Sequence, residues 1–373
     1  MYLSSLSLTN FKNYEELEFN FSNRINCIVG DNGAGKTNIL DAVHYLSLTK
    51  SFFNNIDSLN IRHEADFFII KGIFGLNGGE ESISCSFQRQ KQKILKRNGK
   101  DYSRLSDHVG RFPVVMISPS DSRLITEGGE ERRKFMNKII SQFDPVYLDS
   151  ILKYNKALQQ RNRVLKSFNA GSPYDEQALR VWDMQLVRYG EYVHKTRKYL
   201  VETMIPVFQR HYAMISSGKE TVKMSYRSAL NDGDFAEALK ESLKKDMYLE
   251  YTTVGVHRDD LILEMDGYPI KSVGSQGQQK SYLIALKLAK YDYIKWKSTV
   301  LPILLLDDIF DKFDGNRVEQ IIKIVMSDDF GQIFITDTHQ ERLSGILDSA
   351  GAKYKLFVIP HILQNENDTK QPE

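Results

Sequence analysis

The stretch Gly30-Asp31-Asn32-Gly33-Ala34-Gly35-Lys36-Thr37 has the spacing G-x-x-x-x-G-K-[ST]. Glycines at these positions let the backbone curl so that successive N–H groups point inward at phosphate oxygens, and a helix starting near Gly35 adds its positive dipole end. Lys36 can then reach the β- and γ-phosphates, and the Thr37 hydroxyl can hold Mg²⁺. All eight residues are candidates for binding a nucleoside triphosphate. Such a cradle needs an acidic partner for the metal. The apolar run Ile303-Leu304-Leu305-Leu306 ends in Asp307-Asp308. Asp307 is the candidate metal ligand. Asp308 is the candidate catalytic carboxylate, placed to orient or deprotonate the attacking water.

The third chemical segment is Gly274-Ser275-Gln276-Gly277-Gln278-Gln279-Lys280, which precedes a helical stretch over 281–297. It resembles the signature segment of ATP-binding-cassette ATPases, in which a serine hydroxyl and backbone N–H groups at a helix start cap the γ-phosphate held by a second subunit. By that resemblance Ser275, Gln276, Gly277 and Gln278 act in trans, in an ATP-dependent homodimer. An ordinary helix cap is the competing reading. Asp311-Lys312-Phe313-Asp314 follows the acid pair where cassette ATPases carry an interface loop, although Asp314 also suits the N-cap of the next helix. The chain departs from the cassette pattern in three places. Asp308 stands where Glu is usual, Asp337 stands where the switch histidine is usual with His339 two residues on, and the region 118–121 has no Gln.

The elements that must position these residues are legible as patterns. Ile25 to Val29 is an apolar strand entering the cradle, and Ile39, Leu40, Ala42, Val43 and Leu46 recur at helical spacing after it. Two further strands precede it, joined by Asn10-Phe11-Lys12-Asn13-Tyr14, where Lys12 or Tyr14 touches the nucleotide or the segment is a polar turn. Residues 51–117 are β-rich, with turns at Asn77-Gly78-Gly79 and Asn98-Gly99. After Ser120 the pattern becomes helical over 146–168 and 176–215, with a break at Gly171-Ser172-Pro173 and Pro206 inside the second helix. Asp234 and Glu237 form a capping pair for a helix through Lys245. From Tyr251 strands and helices alternate, which implies a mostly parallel sheet.

The expected fold is therefore α/β: an ABC-type P-loop ATPase head with a mixed, mostly parallel sheet and an inserted α-helical arm. The head takes residues 1–120 and 250–361, with a β-rich subdomain at about 51–117; the arm takes 121–249, and 362–373 form a disordered tail.

Composition sets the outer bounds. A chain of 373 residues with 41% apolar and 26% charged side chains can bury more than one core. No apolar run is long enough to span a bilayer, and Met1-Tyr2-Leu3-Ser4-Ser5 has no signal-peptide pattern, so a cytoplasmic protein without membrane association is expected. Cys27 and Cys85 support neither a disulfide framework nor a metal site, in keeping with a reducing compartment. The net charge of +2 says little, but basic residues cluster. Lys91, Lys93, Lys96 and Arg97 lie in the hairpin region, and Lys153, Lys156 and Arg161 lie on the first arm helix. These are the candidate DNA-phosphate contacts.

Taken together, the segments Asn10-Phe11-Lys12-Asn13-Tyr14, Gly30 to Thr37, Arg132-Arg133-Lys134-Phe135, Gln160-Arg161-Asn162, Gly255-Val256-His257-Arg258-Asp259-Asp260, Ser275 to Lys280 and Leu306-Asp307-Asp308 resemble the RecF family, bacterial recombination and gap-repair ATPases related to the SMC proteins. The pair His257 to Asp260 and Ser275 to Gln279 carries most of the resemblance. It implies an ATP- and Mg²⁺-dependent dimer, associated with the nucleoid. Such a dimer binds single- and double-stranded DNA at gap junctions and works with RecO and RecR to load the RecA recombinase. The role of His257-Arg258-Asp259-Asp260 stays open between shaping the signature loop, contacting DNA and forming a packed turn. The alternative reading is the ATPase subunit of a membrane transporter, which shares the three nucleotide motifs. A clamp built on long coiled coils is disfavoured, because the insertion over 121–249 is too short for them.

Overall fold

The structure is a computed structural model that describes all residues except 77, 171–174, 311–312 and 361–373, together with the side chains of 106 and 169. Asn77, the break Gly171-Ser172-Pro173, the Asp311-Lys312 pair and the C-terminal tail of the sequence reading thus lie outside the described residues.

Packing divides the described residues into two units, one within 1–120 and 294–360, the other within 121–293. In the first unit, apolar runs make a five-stranded, wholly parallel sheet in the order Tyr354–Val358, Ile25–Val29, Ile333–Asp337, Ile303–Asp307, Val114–Ile117. Four of these strands are buried at every position, as expected for strands covered on both faces. The register brings Val29 beside Asp337, Thr336 beside Asp307 and Ile117 beside Leu306. The carboxyl ends of these strands thus meet along one edge, where open parallel sheets bind ligands.

A separate antiparallel sheet runs Tyr14–Asn20, Tyr2–Phe11, Phe67–Leu76, Gly79–Gln88, Ile94–Arg97, Lys100–Asp101. The β-rich part is therefore not confined to 51–117: the first two strands pair with it, because Leu3, Leu6 and Leu8 point into the same core as Ile70 and Phe74. The Asn98-Gly99 turn is a tight hairpin with both residues at positive φ (48° and 77°).

The helix Lys36–Leu48 packs into this core, with ten of its thirteen residues buried. A helix apolar on most sides is one enclosed on most sides. Buried Gln332 stitches the two sheets: it accepts from Leu3 N at 2.7 Å and donates to Leu3 O and Ser22 O at 2.8 and 2.7 Å.

The second unit is built on an antiparallel helix pair, Pro145–Asn169 and Glu176–Ser216. Helices Gly129–Ile140 and Phe235–Leu249, most of the helix Gln276–Lys297 and a three-stranded sheet belong to the same unit. Asp144, Asp175 and Asp234 cap their helices through side-chain oxygens. The return to the head, expected at residue 250, comes at Ile294. The reason is the strand Asp260–Met265, which pairs with Val222–Arg227 and not with the parallel sheet. Among the described residues, no helix is long and apolar enough to cross a membrane.

Candidate nucleotide-binding site

The cradle stands at the carboxyl end of Ile25–Val29. Its lip, Asp31, Asn32 and Gly33, is exposed, while Ala34 and Lys36 are buried beneath. Two glycines are required by shape. Gly35 has φ +103°, and a Cβ there would lie 2.4 Å from Asn13 Nδ2 and 2.5 Å from the Tyr14 hydroxyl. A Cβ at Gly30 would lie 2.6 Å from Ile359 O. Asn13 and Tyr14 hold the loop from behind, both donating to Ala34 O at 3.4 and 3.3 Å, and Asn38 donates to Asn13 Oδ1 at 2.7 Å. Tyr14 thus props the loop. Lys12 is turned to Asp41 at 2.6 Å in a buried ion pair, not toward the nucleotide position.

Lys36 Nζ donates to Gly30 O at 2.6 Å and Asp31 O at 2.8 Å, so the ammonium is held under the loop mouth. Burial lowers its pKa, opposed by the charges of Asp308, Asp307, Asp337 and Asp31. Three hydroxyls converge on Asp307: Thr37 at 2.9 Å and Thr336 at 3.0 Å on Oδ1, and Ser118 at 3.3 Å on Oδ2. Burial nevertheless raises the pKa of this carboxyl.

Asp308 has a φ of 47°, a left-handed conformation that short polar residues such as Asp adopt more readily than other residues with a Cβ. The Thr336 hydroxyl accepts its N–H at 2.9 Å, and its Oδ1 is buried without a hydrogen-bond partner. An orphaned carboxylate oxygen and a surplus of acid around one lysine fit a site completed by a cation and a nucleotide. Among the described residues there is no cluster of three or more His, Cys, Asp or Glu. A cation held by Thr37 and Asp307 would therefore take its other ligands from phosphate and water, as Mg²⁺ does. The sequence pattern did not reveal Thr336 and Ser118 as supports of Asp307. The signal was present as a hydroxyl residue at the end of each strand flanking the acidic one.

At the switch position, buried Asp337 accepts from His339 N at 2.8 Å and is paired with Arg342 Nη2 at 2.8 Å, while His339 itself is exposed. Asp314 caps Gly315–Val325, its Oδ1 accepting from Arg317 N at 2.9 Å.

In the second unit, Ser275 and Gln278 form a reciprocal capping box at the start of the helix Gln276–Lys297. Gln278 Oε1 accepts from Ser275 N at 2.8 Å, and Ser275 Oγ accepts from Gln278 N at 3.3 Å. Gln278 also donates to Glu220 at 3.1 Å. Ser275 and Gln276 are exposed, and nothing lies within 4 Å of a Cβ built at Gly277.

The segment His257 to Asp260 is a packed latch. His257 Nε2 meets Thr252 O at 3.0 Å and Nδ1 meets the Tyr154 hydroxyl at 2.8 Å, and burial pushes its pKa down to about 4. Asp259 pairs with Arg197 at 2.9 Å. Asp260 pairs with Arg132 through two hydrogen bonds at 2.7 and 3.0 Å, and Arg133 donates to Asp259 O at 2.8 Å.

The basic candidates separate into two groups. Lys93 is only 9% exposed and is committed to Asp57 at 2.8 Å and Thr49 O at 2.6 Å. Arg161 is fully buried between Asp183 and Asp246, each at 2.6 Å. Neither can reach a phosphate without dismantling its ion pairs, which corrects their assignment as DNA contacts. Arg97 is held by two hydrogen bonds to Glu81 at 2.8 and 2.9 Å. Lys96 and Lys153 are paired on the solvent side with Asp101 at 3.5 Å and Asp149 at 2.7 Å, and Lys153 Nζ also lies 5.6 Å from the centre of the Tyr189 ring. Lys91 and Lys156 are exposed and have no ion pair among the described residues.

A glycine cradle, its lysine and an acid strand at the carboxyl edge of a parallel sheet, with a signature-like helix start elsewhere in the chain, define a P-loop ATPase of the ABC/SMC class. The chain matches the family model described as RecF/RecN/SMC N terminal domain over residues 2–355. It is 49% identical to the DNA replication and repair protein RecF of Bacteroides fragilis strain YCH46, across 100% of both chains. A solved structure described as the recombination mediator protein RecF-ATP in the RecFOR pathway superposes with a TM-score of 0.81 at 30% identity, covering 91% of this chain and 92% of that one. The Smc head domain of Pyrococcus furiosus shares the fold, with a TM-score of 0.54 at 17% identity over 92% and 91% of the two chains. The chain belongs to the RecF family. That membership decides against the transporter subunit.

Proposed function

We propose that this chain is a DNA-binding ATPase of recombinational gap repair that closes as a dimer around ATP and Mg²⁺. The observation that carries this reading is the pairing, in one chain, of a complete cradle with an exposed signature-like helix start. Ser275 and Gln276 face solvent, Val273 just before them is 49% exposed, and nothing lies within 4 Å of a Cβ built at Gly277. A glycine in a helix costs up to about 1 kcal/mol, and no neighbour within the chain demands one here, which favours close approach by a second copy and its nucleotide. Lys36 and the loop amides hold the phosphates, Thr37 and Asp307 hold the cation, and Asp308 orients the attacking water. ATP then stabilises the dimer by its differential affinity for that state.

The DNA part of the reading rests on the family and on the lysines that reach solvent, exposed Lys91, Lys153 and Lys156 and half-buried Lys96. Relatives are described as DNA replication and repair proteins and as members of a RecFOR pathway. By that likeness the dimer acts at single-strand gaps in the cytoplasm, on the nucleoid, with RecO and RecR as partners. The test is ATP hydrolysis by the purified chain with and without gapped DNA, alongside light scattering with and without ATP. Hydrolysis stimulated by DNA and an ATP-dependent doubling of mass are expected. A chain that stays monomeric with ATP and ignores DNA would overturn the reading.

A further inference from the structure

The end of the helix Phe235–Leu249 presents two tyrosines that the fold does not use. Tyr248 is 84% exposed and Tyr251 is 39% exposed. Between them Glu250 takes a left-handed conformation, φ 61°, which ends the helix and turns the chain sharply. The Arg258 guanidinium lies 5.1 Å from the centre of the Tyr251 ring. Lys244 and Lys245 precede Tyr248 by four and three residues, so helical geometry puts them beside it on one face. Lys244, Lys245 and Arg258 are exposed and have no ion pair among the described residues. The exposed cations of this stretch, with Lys240, outnumber its solvent-side acids, Glu241 and Glu250.

This surface stands on a rigid base. Asp246, on the buried side of the same helix, binds Arg161 at 2.6 Å and accepts from Thr253 N and Oγ1 at 2.9 and 2.6 Å. Thr252, next to Tyr251, donates through N and Oγ1 to Asn162 Oδ1 at 2.8 and 2.7 Å. His257, next to Arg258, binds Thr252 O at 3.0 Å. The buried network therefore fixes the backbone beneath Tyr251 and Arg258 relative to one another. That gives the His257-Arg258 pair a role: it carries the guanidinium to the tyrosine ring.

We infer that this surface is a stacking platform for the unpaired bases of single-stranded DNA, a reading that rests on the DNA function proposed above. Tyrosine and arginine planes stack on any base, and neighbouring lysines track the phosphates. Duplex DNA hides its base faces and would use only the lysines. A protein partner fits less well, because lysine is depleted at the centre of protein interfaces.

The test measures binding of the full-length chain, with ATP, to a fluorescent oligothymidine and to a blunt duplex of equal length. Tyr248→Ala and Tyr251→Ala are expected to weaken single-strand binding about 5- to 150-fold each, with duplex binding changed less than about twofold. Tyr248→Phe and Tyr251→Phe keep the ring and should bind as wild type. Tyr248 is so exposed that its truncation leaves folding intact, and thermal melts check Tyr251→Ala. Equal losses on both DNAs, or no loss on either, overturn the platform while leaving the DNA reading standing. If the unaltered chain binds neither DNA, it is the DNA reading that fails. If Tyr248→Ala instead weakens only a protein–protein contact, the surface is a protein dock and the inference is wrong.

Discussion

Thr37 and Asp307, 270 residues apart in the chain, meet through a hydrogen bond of 2.9 Å from the threonine hydroxyl to Oδ1. The contact joins the last residue of the phosphate cradle to the end of the acidic strand, and Thr336 and Ser118 fix the same carboxylate from either side. Asp307 is therefore preorganised at a cost, since burial raises its pKa. A carboxyl whose folded pKa is raised binds protons more tightly folded than unfolded, so stability falls as pH rises from the ordinary carboxylate range through the folded pKa. Asp307→Asn removes that penalty together with the metal ligand. ATP turnover should drop by about 100-fold or more, while the melting temperature at neutral pH stays equal or rises. Retained turnover, or a melting point several degrees lower, would count against the assignment.

Lys36 offers a second test. Its ammonium is aimed between Gly30 O and Asp31 O, an anchoring that suits a point charge and not a planar fork. Lys36→Ala removes a buried charge-assisted contact to phosphate, and Lys36→Arg puts a bulkier planar fork where a point charge is anchored, so both should lose most ATP affinity, about 100-fold or more. Equilibrium binding of a fluorescent ATP analogue measures this, and unchanged affinity in the alanine variant would sink the cradle assignment.

Glycine geometry gives a matched pair of stability predictions. Gly35→Ala places a Cβ within 2.5 Å of both Asn13 Nδ2 and the Tyr14 hydroxyl, at a φ of +103°. It should cost about 1–3 kcal/mol and weaken nucleotide binding as the prop is displaced. Gly345, inside Gln340–Ser349, has nothing within 4 Å of a built Cβ, so Gly345→Ala should stabilise by about 0.5–1 kcal/mol. Urea unfolding of the two variants decides whether the loop conformation matters as argued.

These sites differ in how openly the sequence declared them. The loop over 30–37 between a strand and a helix, the apolar strand ending in Asp307 and the helix that follows Ser275 could be read from local spacing, because each is one contiguous segment whose residue types follow from its own backbone geometry. The helices 146–168 and 176–215 were legible within one or two residues, since capping and apolar periodicity are local. What stayed hidden depends on partners distant in sequence. Nothing near Lys93 or Arg161 announces Asp57 or Asp246, so both looked like free cations. The pairing of Asp260–Met265 with Val222–Arg227, which keeps 250–293 in the second unit, is likewise a choice between strands that periodicity cannot make.

The two kinds of basic residue should separate in experiment. Arg161→Ala leaves Asp246 buried without its cation and should cost about 3–5 kcal/mol of stability. Lys156 is exposed and carries no ion pair among the described residues, so Lys156→Ala should change stability by less than about 0.5 kcal/mol. If Lys156 contacts a phosphate, the same change lowers DNA affinity and reduces the slope of log affinity against log salt by about 1. Thermal melts and a salt titration of DNA binding report the two effects independently.

His257 makes acid sensitivity a property of one latch. Its pKa is pushed down to about 4 by burial against an unfolded value near 6.5, so the folded state holds it neutral while the unfolded chain takes up a proton first. A histidine whose folded pKa is lowered contributes stability in full above the unfolded pKa and loses it as pH falls toward the folded one. Between about pH 6.5 and 4 the loss is on the order of 3 kcal/mol. His257→Gln keeps a donor for Thr252 O but cannot titrate, so it should be less stable than wild type at pH 7.5 and flatter in its stability profile below pH 6.5. Urea midpoints at half-unit pH steps compare the two profiles, and parallel curves would show that the latch histidine does not govern acid stability.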